Sequence, residues 1–157
     1  MKKLTHIDHS GNPRMVDVSS KAITQRTARA QATLKVSKEI LSQIRNQDLT
    51  TKKGSVFQTA ILAGVMGAKK TSELIPLCHP LSMENCQVAI QVKNNKIVID
   101  TLATIIGKTG VEMEALTSAS VAALTIYDMC KALSHDIIIE EIKLMEKTGG
   151  KKDFKRN

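Results

Sequence analysis

CQVAIQVKNNKIVIDTLATIIGKTGVEMEALTSASVAALTIYDMCK, residues Cys86–Lys131, is the stretch on which the fold turns. Polar and apolar residues alternate over Cys86–Val92 and again over Lys96–Ile105, the period of strands with one buried face. The Lys93-Asn94-Asn95 segment between them favours a hairpin turn. From Met113 to Ser134 the pattern becomes that of a long helix. Glu112 and Glu114 stand at its start, Asp128 and Lys131 near its end, and the residues between are small or apolar with almost no charge. A solvated helix carries charge along its outer face. This one is expected to be buried along its middle and chemically equipped at both tips.

Working outward, Ile137–Met145 reads as a last strand. Upstream, Gly54–Thr71 holds Val56, Ala60, Ile61, Ala63, Gly64 and Ala68, a small-residue helix suited to close packing. Ser37 is a candidate N-cap for a stripe of Ile40, Leu41 and Ile44. Met15–Lys35 reads as an interrupted strand, and Pro76 to Pro80 as a loop. The order β-α-α-β-β-α-β predicts an α+β fold: a ferredoxin-like split βαβ antiparallel sheet with an additional helix. The 157 residues are expected to form one domain, residues 1–157. A short flexible N-terminus (about residues 1–12) and a mobile Lys/Gly tail (about residues 147–157) are expected at its ends.

Composition narrows the function. Cys78, Cys86 and Cys130 are odd in number and form no CxxC pair, which argues against a disulfide frame or zinc knuckle and fits a reducing cytoplasm. The start, MKKLTHIDHSG, lacks the apolar core of a signal peptide, and no run is long enough to span a membrane. The net charge of +8 raises nucleic acid as a partner. Against it, the chain has no Trp, one Tyr and two Phe, so it lacks stacking platforms. Its lysines are also scattered, as a small polyphosphate ligand or a solvated basic surface would have them. A basic nucleic-acid module and a non-catalytic assembly protein are the alternatives to an enzyme.

Three further motifs are candidates for a site. His79 lies in the Pro-bounded Leu77-Cys78-His79-Pro80 loop, where a rigid backbone can hold an imidazole; an idle loop histidine is the alternative. Cys78 is either a nucleophile or a small buried hydrophobe. Lys52-Lys53-Gly54 precedes a helix, whose N-terminal N–H groups suit an anion; solvated lysines are the alternative. In Lys147-Thr148-Gly149-Gly150-Lys151 the glycines let the backbone curl around an anion, although frayed tails look similar. His6, His9 and His135 have no metal-ligand spacing. Asp128 and Lys131 share a helix face and can pair. Glu114 and Asp128 fall on nearly one stripe but about 21 Å apart at the helical rise. If both ends serve one ligand, a second copy of the chain must bring one end to the other.

These residues carry a resemblance. Met15-Val16-Asp17-Val18-Ser19, ELIPLCHPL (Glu73–Leu81), GKTGVEMEALT (Gly107–Thr117) and SVAALTIYDMCK (Ser120–Lys131) resemble the cyclic pyranopterin monophosphate synthase family of molybdenum cofactor biosynthesis, the MoaC family. The likeness runs over essentially the whole chain. It implies conversion of 3′,8-cyclo-7,8-dihydroguanosine 5′-triphosphate, supplied by an upstream radical enzyme, to cyclic pyranopterin monophosphate and pyrophosphate. No cofactor or metal is implied. It also implies a ferredoxin-like fold and a hexamer built from dimers, with no nucleic-acid or membrane partner. By the same resemblance Asp128, Lys131 and Lys53 are catalytic, the first two as general acid and base. Leu77, Cys78, His79, Glu112, Met113 and Glu114 bind the ring, and Arg26, Lys147 and Lys151 lie near the phosphates.

Two departures from the family pattern stand out. After Lys53-Gly54 the family usually has Asp where this chain has Ser55, which removes a helix-start carboxylate, although serine also caps. The tail is one residue shorter than Gly-Gly-Lys-Ser-Gly before its Asp-Phe, which bears on where Lys151 sits.

Overall fold

A computed structural model describes residues 6–157; the first five residues of the expected flexible N-terminus lie outside it. Strand β1 (Thr24–Lys35) is followed by helix α1 (Lys38–Gln43), a two-strand ribbon of β2 (Thr50–Thr51) and β3 (Gly54–Ser55), and helix α2 (Val56–Lys69). Then come α3 (Thr71–Leu74), β4 (Asn85–Lys93), β5 (Lys96–Gly107), α4 (Glu112–Cys130), β6 (Ile138–Thr148) and β7 (Phe154–Lys155). The main sheet has the order β4-β5-β1-β6-β7 and every pairing is antiparallel. Its four long strands have the interleaved order of a split βαβ, so the ferredoxin-like α+β architecture is present.

The period-two pattern decides which face of the sheet is dry. Ala28, Ala30, Ala32 and Leu34 of β1 and Ile97, Ile99, Ala103 and Ile105 of β5 are buried on the helix side. Opposite them, Ala115, Ala119, Ala122, Ala123 and Ile126 of α4 are fully buried. A helix whose inner face is mostly alanine can lie close to the sheet. Buried Thr101 of β5 spans that close contact, its hydroxyl donating to the Ala115 carbonyl at 2.8 Å. Helix α2 packs on the side of α4 through two glycines. A Cβ at Gly67 would lie 2.7 Å from Val121 Cγ2, and one at Gly64 would lie 3.1 Å from the Ser118 carbonyl oxygen.

Several boundaries differ from the sequence reading. The strand expected from Met15 begins only at Thr24. Among the described residues the MVDVSS alternation has no partner strand, and it is tied locally: the Ser19 N–H donates to Asp17 Oδ1 at 2.8 Å. Helix α4 stops at Cys130 rather than Ser134. The tail expected to be loose folds back, Glu146 and Lys147 pairing with Lys155 and Phe154. Gly149, at φ +80°, makes that reversal possible, since an added Cβ would meet the Gln25 carbonyl oxygen at 2.0 Å. The expected elements at Ser37, Asn94-Asn95 and Gly54–Thr71 are found. Ser37 caps α1, Asn94 and Asn95 take φ of 51° and 58°, and α2 fills the third stretch.

Candidate functional site

Helix α4 separates the candidate residues into two groups, one at each end. At its N-terminal end, β5 delivers the chain through Lys108, Thr109 and Gly110 to a first turn carrying Glu112 and Glu114, where acidic side chains complement the helix dipole. Glu112, Met113 and Glu114 line a 410 Å³ cavity together with Leu77, Cys78 and His79 from the Pro-bounded loop. Glu114 is only 4% exposed. Burial pushes its carboxyl above the usual range, and the charge of Glu112 adds to the effect. His79 Nε2 lies 2.9 Å from the Val16 carbonyl, which can only accept, so this nitrogen carries the hydrogen. The bond ties the His79 loop to the MVDVSS segment. Cys78 is a poor nucleophile here: burial raises its thiol pKa and Glu114 raises it further.

A second, basic recess of 200 Å³ adjoins the first and shares Lys21, Gly110 and Glu112 with it. Arg26, Lys147, Gly150 and Lys151 line it. Lys147 Nζ donates to Glu112 Oε1 at 2.7 Å, and Arg26 Nε donates to the Gly107 carbonyl at 3.1 Å. Lys151 thus reaches the same recess as Lys147 despite the shortened tail. Within the Gly149-Gly150 curl the Gly149 N–H is not open to an anion, because it already donates to Asp153 Oδ1 at 3.1 Å.

The other group lies at the C-terminal end of α4. Asp128 receives Lys131 Nζ at 2.7 Å and Lys53 Nζ at 2.8 Å. Lys131 is one turn along the same helix, whereas Lys53 arrives on the tip of the β2–β3 ribbon. Hydrogen bonds from Lys131 and then Lys53 hold the Asp128 carboxyl down at about 2, and Asp128 in turn raises Lys131. The three groups are half exposed and border a 400 Å³ cavity with Lys52, Met129 and Leu133.

The expected anion site at the start of α2 is not there. Its first N–H groups are taken within the chain: Val56 N–H by the Leu49 carbonyl, Phe57 N–H by Asp48 and Gln58 N–H by Ser55. Ser55 therefore does cap the helix, and Asp48 brings a carboxylate to its first turn.

Sequence reasoning passed over Lys21, Thr109 and His6, all on the wall of the first cavity. A lone lysine and a lone histidine carry no spacing signal. Thr109 Oγ1 is buried without a hydrogen-bond partner among the described residues. Among those residues no three His, Cys, Asp or Glu side chains gather as metal ligands, and no helix is long and apolar enough to cross a membrane.

Residues 15–150 match the MoaC family. The match takes in both ends of α4, the His79 loop and the Lys53 ribbon. The chain belongs to that family and takes part in molybdenum cofactor biosynthesis.

Proposed function

We propose that this chain converts (8S)-3′,8-cyclo-7,8-dihydroguanosine 5′-triphosphate into cyclic pyranopterin monophosphate, releasing pyrophosphate as a lyase-type synthase in the cytoplasm. The observation that carries the reading is the family match over residues 15–150, a span that contains every candidate acid, base and cation except Lys151, one residue beyond it. The geometry supports a division of labour. The cavity around His79 and Glu114 takes the purine-derived ring. Glu114, kept protonated to higher pH by burial, is suited to exchange protons there. Arg26, Lys147 and Lys151 neutralise the triphosphate and assist departure of pyrophosphate. Lys53 and Lys131 are held side by side by Asp128; a bound polyanion that draws them away frees the carboxylate to act as a base.

The proposal includes a site completed between subunits of a homo-oligomer, a hexamer built from dimers. One copy contributes the Glu112–Glu114 end of α4 and another the Asp128 end. Two observations support it. Asp128 and Glu114 stand about 21 Å apart along the helix. Leu124, one turn before Asp128, is 59% exposed, as are Leu62 (61%) and Met66 (52%) on one face of α2, an apolar surface that a second copy would cover.

Turnover tests the reading. Purified chain is given the cyclised triphosphate, and pyrophosphate and the pterin product are followed for the wild type and for Asp128→Asn. Product from the wild type with a loss of about 10²–10⁴-fold in the variant is expected. A well-folded oligomer that yields no product refutes the synthase reading and favours a non-catalytic assembly role.

A further inference from the structure

Asp48 makes more contacts than a cap requires. It sits after a turn in which Asn46 and Gln47 both take positive φ, closed by paired backbone bonds between Arg45 and Asp48 at 2.7 and 2.9 Å. Its Oδ1 accepts the N–H of Leu49 at 2.6 Å and of Phe57 at 2.8 Å, and its Oδ2 accepts the Ser55 hydroxyl. Leu49 leads into β2, Ser55 ends β3 and Phe57 lies in the first turn of α2. One carboxylate therefore ties together both legs of the two-strand ribbon and the helix that follows it. Burial opposes its charge, but the donors from Ser55, Phe57 and Leu49 outweigh this and hold it ionised.

Buried Leu49 and the Val56 N–H, which donates to the Leu49 carbonyl at 2.8 Å, also anchor the base of the ribbon, but little orients its tip. Its two strands pair over only two residues each, Thr50 with Ser55 and Thr51 with Gly54. Gly54, at φ +107°, turns the tip, and the Lys53 N–H donates to Thr51 Oγ1 at 3.2 Å. From that tip Lys53 reaches across to Asp128 on α4, 75 residues away in sequence. A two-residue ribbon cannot hold its own tip still, so the fixed point at its base decides where Lys53 goes.

We propose that Asp48 is a positioning residue for Lys53: its carboxylate clamps the base of the β2–β3 ribbon to α2 and so delivers the Lys53 ammonium to Asp128. The inference rests on the reading of Lys53 and Asp128 as active-site groups. The clamp itself can be tested without turnover.

The test reads the ionisation of the Asp128 carboxyl by carbon NMR in the full chain, together with kcat/KM. Asp128 faces Lys53 on the ribbon and Lys131 on its own helix. Lys53→Ala raises its midpoint above the value near 2 by removing one ammonium. Asp48→Ala is expected to raise it by a similar amount and to add nothing in the Lys53→Ala background. Ser55→Ala, which frees only the returning leg, gives a smaller shift. Asp48→Asn, which can still accept from Leu49 and Phe57 and donate to Ser55, keeps the wild-type midpoint. A misplaced lysine lowers kcat/KM by roughly 10²-fold for Asp48→Ala, and that loss disappears when Lys53 is already alanine. A folded Asp48→Ala with an unmoved Asp128 midpoint overturns the proposal, as do shifts that add in the double variant. If Asp48→Ala does not fold, Ser55→Ala decides: a shifted midpoint supports the clamp and an unmoved one overturns it. Absence of turnover in the wild type would refute the synthase reading while leaving the Asp128 titration to judge Asp48.

Discussion

Replacing Gly67 by alanine probes the contact that sets the position of α4. The added Cβ would stand 2.7 Å from Val121 Cγ2, 2.8 Å from its Cβ and 3.2 Å from its Cγ1. Carbon atoms pack at about 3.5 Å or more, so the helices must part by roughly 0.8 Å. Val121 cannot turn aside, because a β-branched side chain in a helix has one strongly preferred rotamer. Overpacking of this kind costs about 1–3 kcal/mol, and the better helix propensity of alanine returns about 1 kcal/mol. A net loss near 1 kcal/mol is expected, or about 2–4 °C in Tm for a chain of this size. Because α4 carries candidate groups at both ends, a shift approaching 1 Å is also expected to lower turnover by up to about 10²-fold. The decisive assay is denaturant unfolding at fixed protein concentration, for Gly67→Ala alone and in a Val121→Gly background. Val121→Gly is itself destabilising, but it clears the space. There the alanine is expected to stabilise by about 1 kcal/mol, reversing its sign. If Gly67→Ala stabilises the otherwise wild-type chain, or destabilises equally in both backgrounds, the claim that this glycine sets the helix spacing is wrong.

Glu114→Gln is expected to change how stability depends on pH. Burial raises the folded-state pKa of Glu114 above its ordinary 4.5, so the unfolded chain gives up this proton first. Its contribution is therefore fully present below pH 4.5 and is lost as pH climbs through the folded value; the glutamine variant should lack that decline and be the more stable at pH 7–8, as unfolding midpoints across the range will show. Lys147→Ala leaves the basic recess short of one ammonium and, on the proposed reading, should raise KM about 10- to 100-fold, the range for one charge-assisted hydrogen bond, with a smaller change in kcat in steady-state assays. Cys130 is fully buried with its thiol pushed up to about 11, so it should resist an aromatic disulfide reagent at pH 8 until the chain is denatured, while Cys78 on its open cavity reacts slowly in the native state.

The fold was legible where local signals agreed with tertiary demand. Alternation through Cys86–Ile105, a pair of asparagines at the turn and an uncharged helix middle each call for one structure, and each is found. MVDVSS misled because alternation describes a chain able to be a strand, not one with a partner to pair with. The β2–β3 ribbon was missed because two residues per strand carry no period. The candidate site residues stood out through long motifs, but the contacts between them did not. Lys53 meets Asp128 across 75 positions and Lys147 meets Glu112 across 35, and no local pattern encodes contacts of that range. Asp48 was overlooked for the same reason: its meaning lies in which three segments converge on it. The expectation of an anion at the start of α2 failed because the chain itself supplies the acceptors.

The separation of the two charged groups along α4 also has a genetic reading. With a site assembled from opposite helix ends of two copies, a lesion at Glu114 and a lesion at Asp128 damage different halves of the same centre. A mixed pair then holds one centre with both lesions and one with neither. Two alleles that are each null alone would restore growth when expressed together, with about a quarter of the centres intact under random pairing of two-site dimers. Two lesions within one end, such as Asp128 and Lys131, would never complement. The length of one buried helix would thus divide the defective alleles of this protein into two complementation groups.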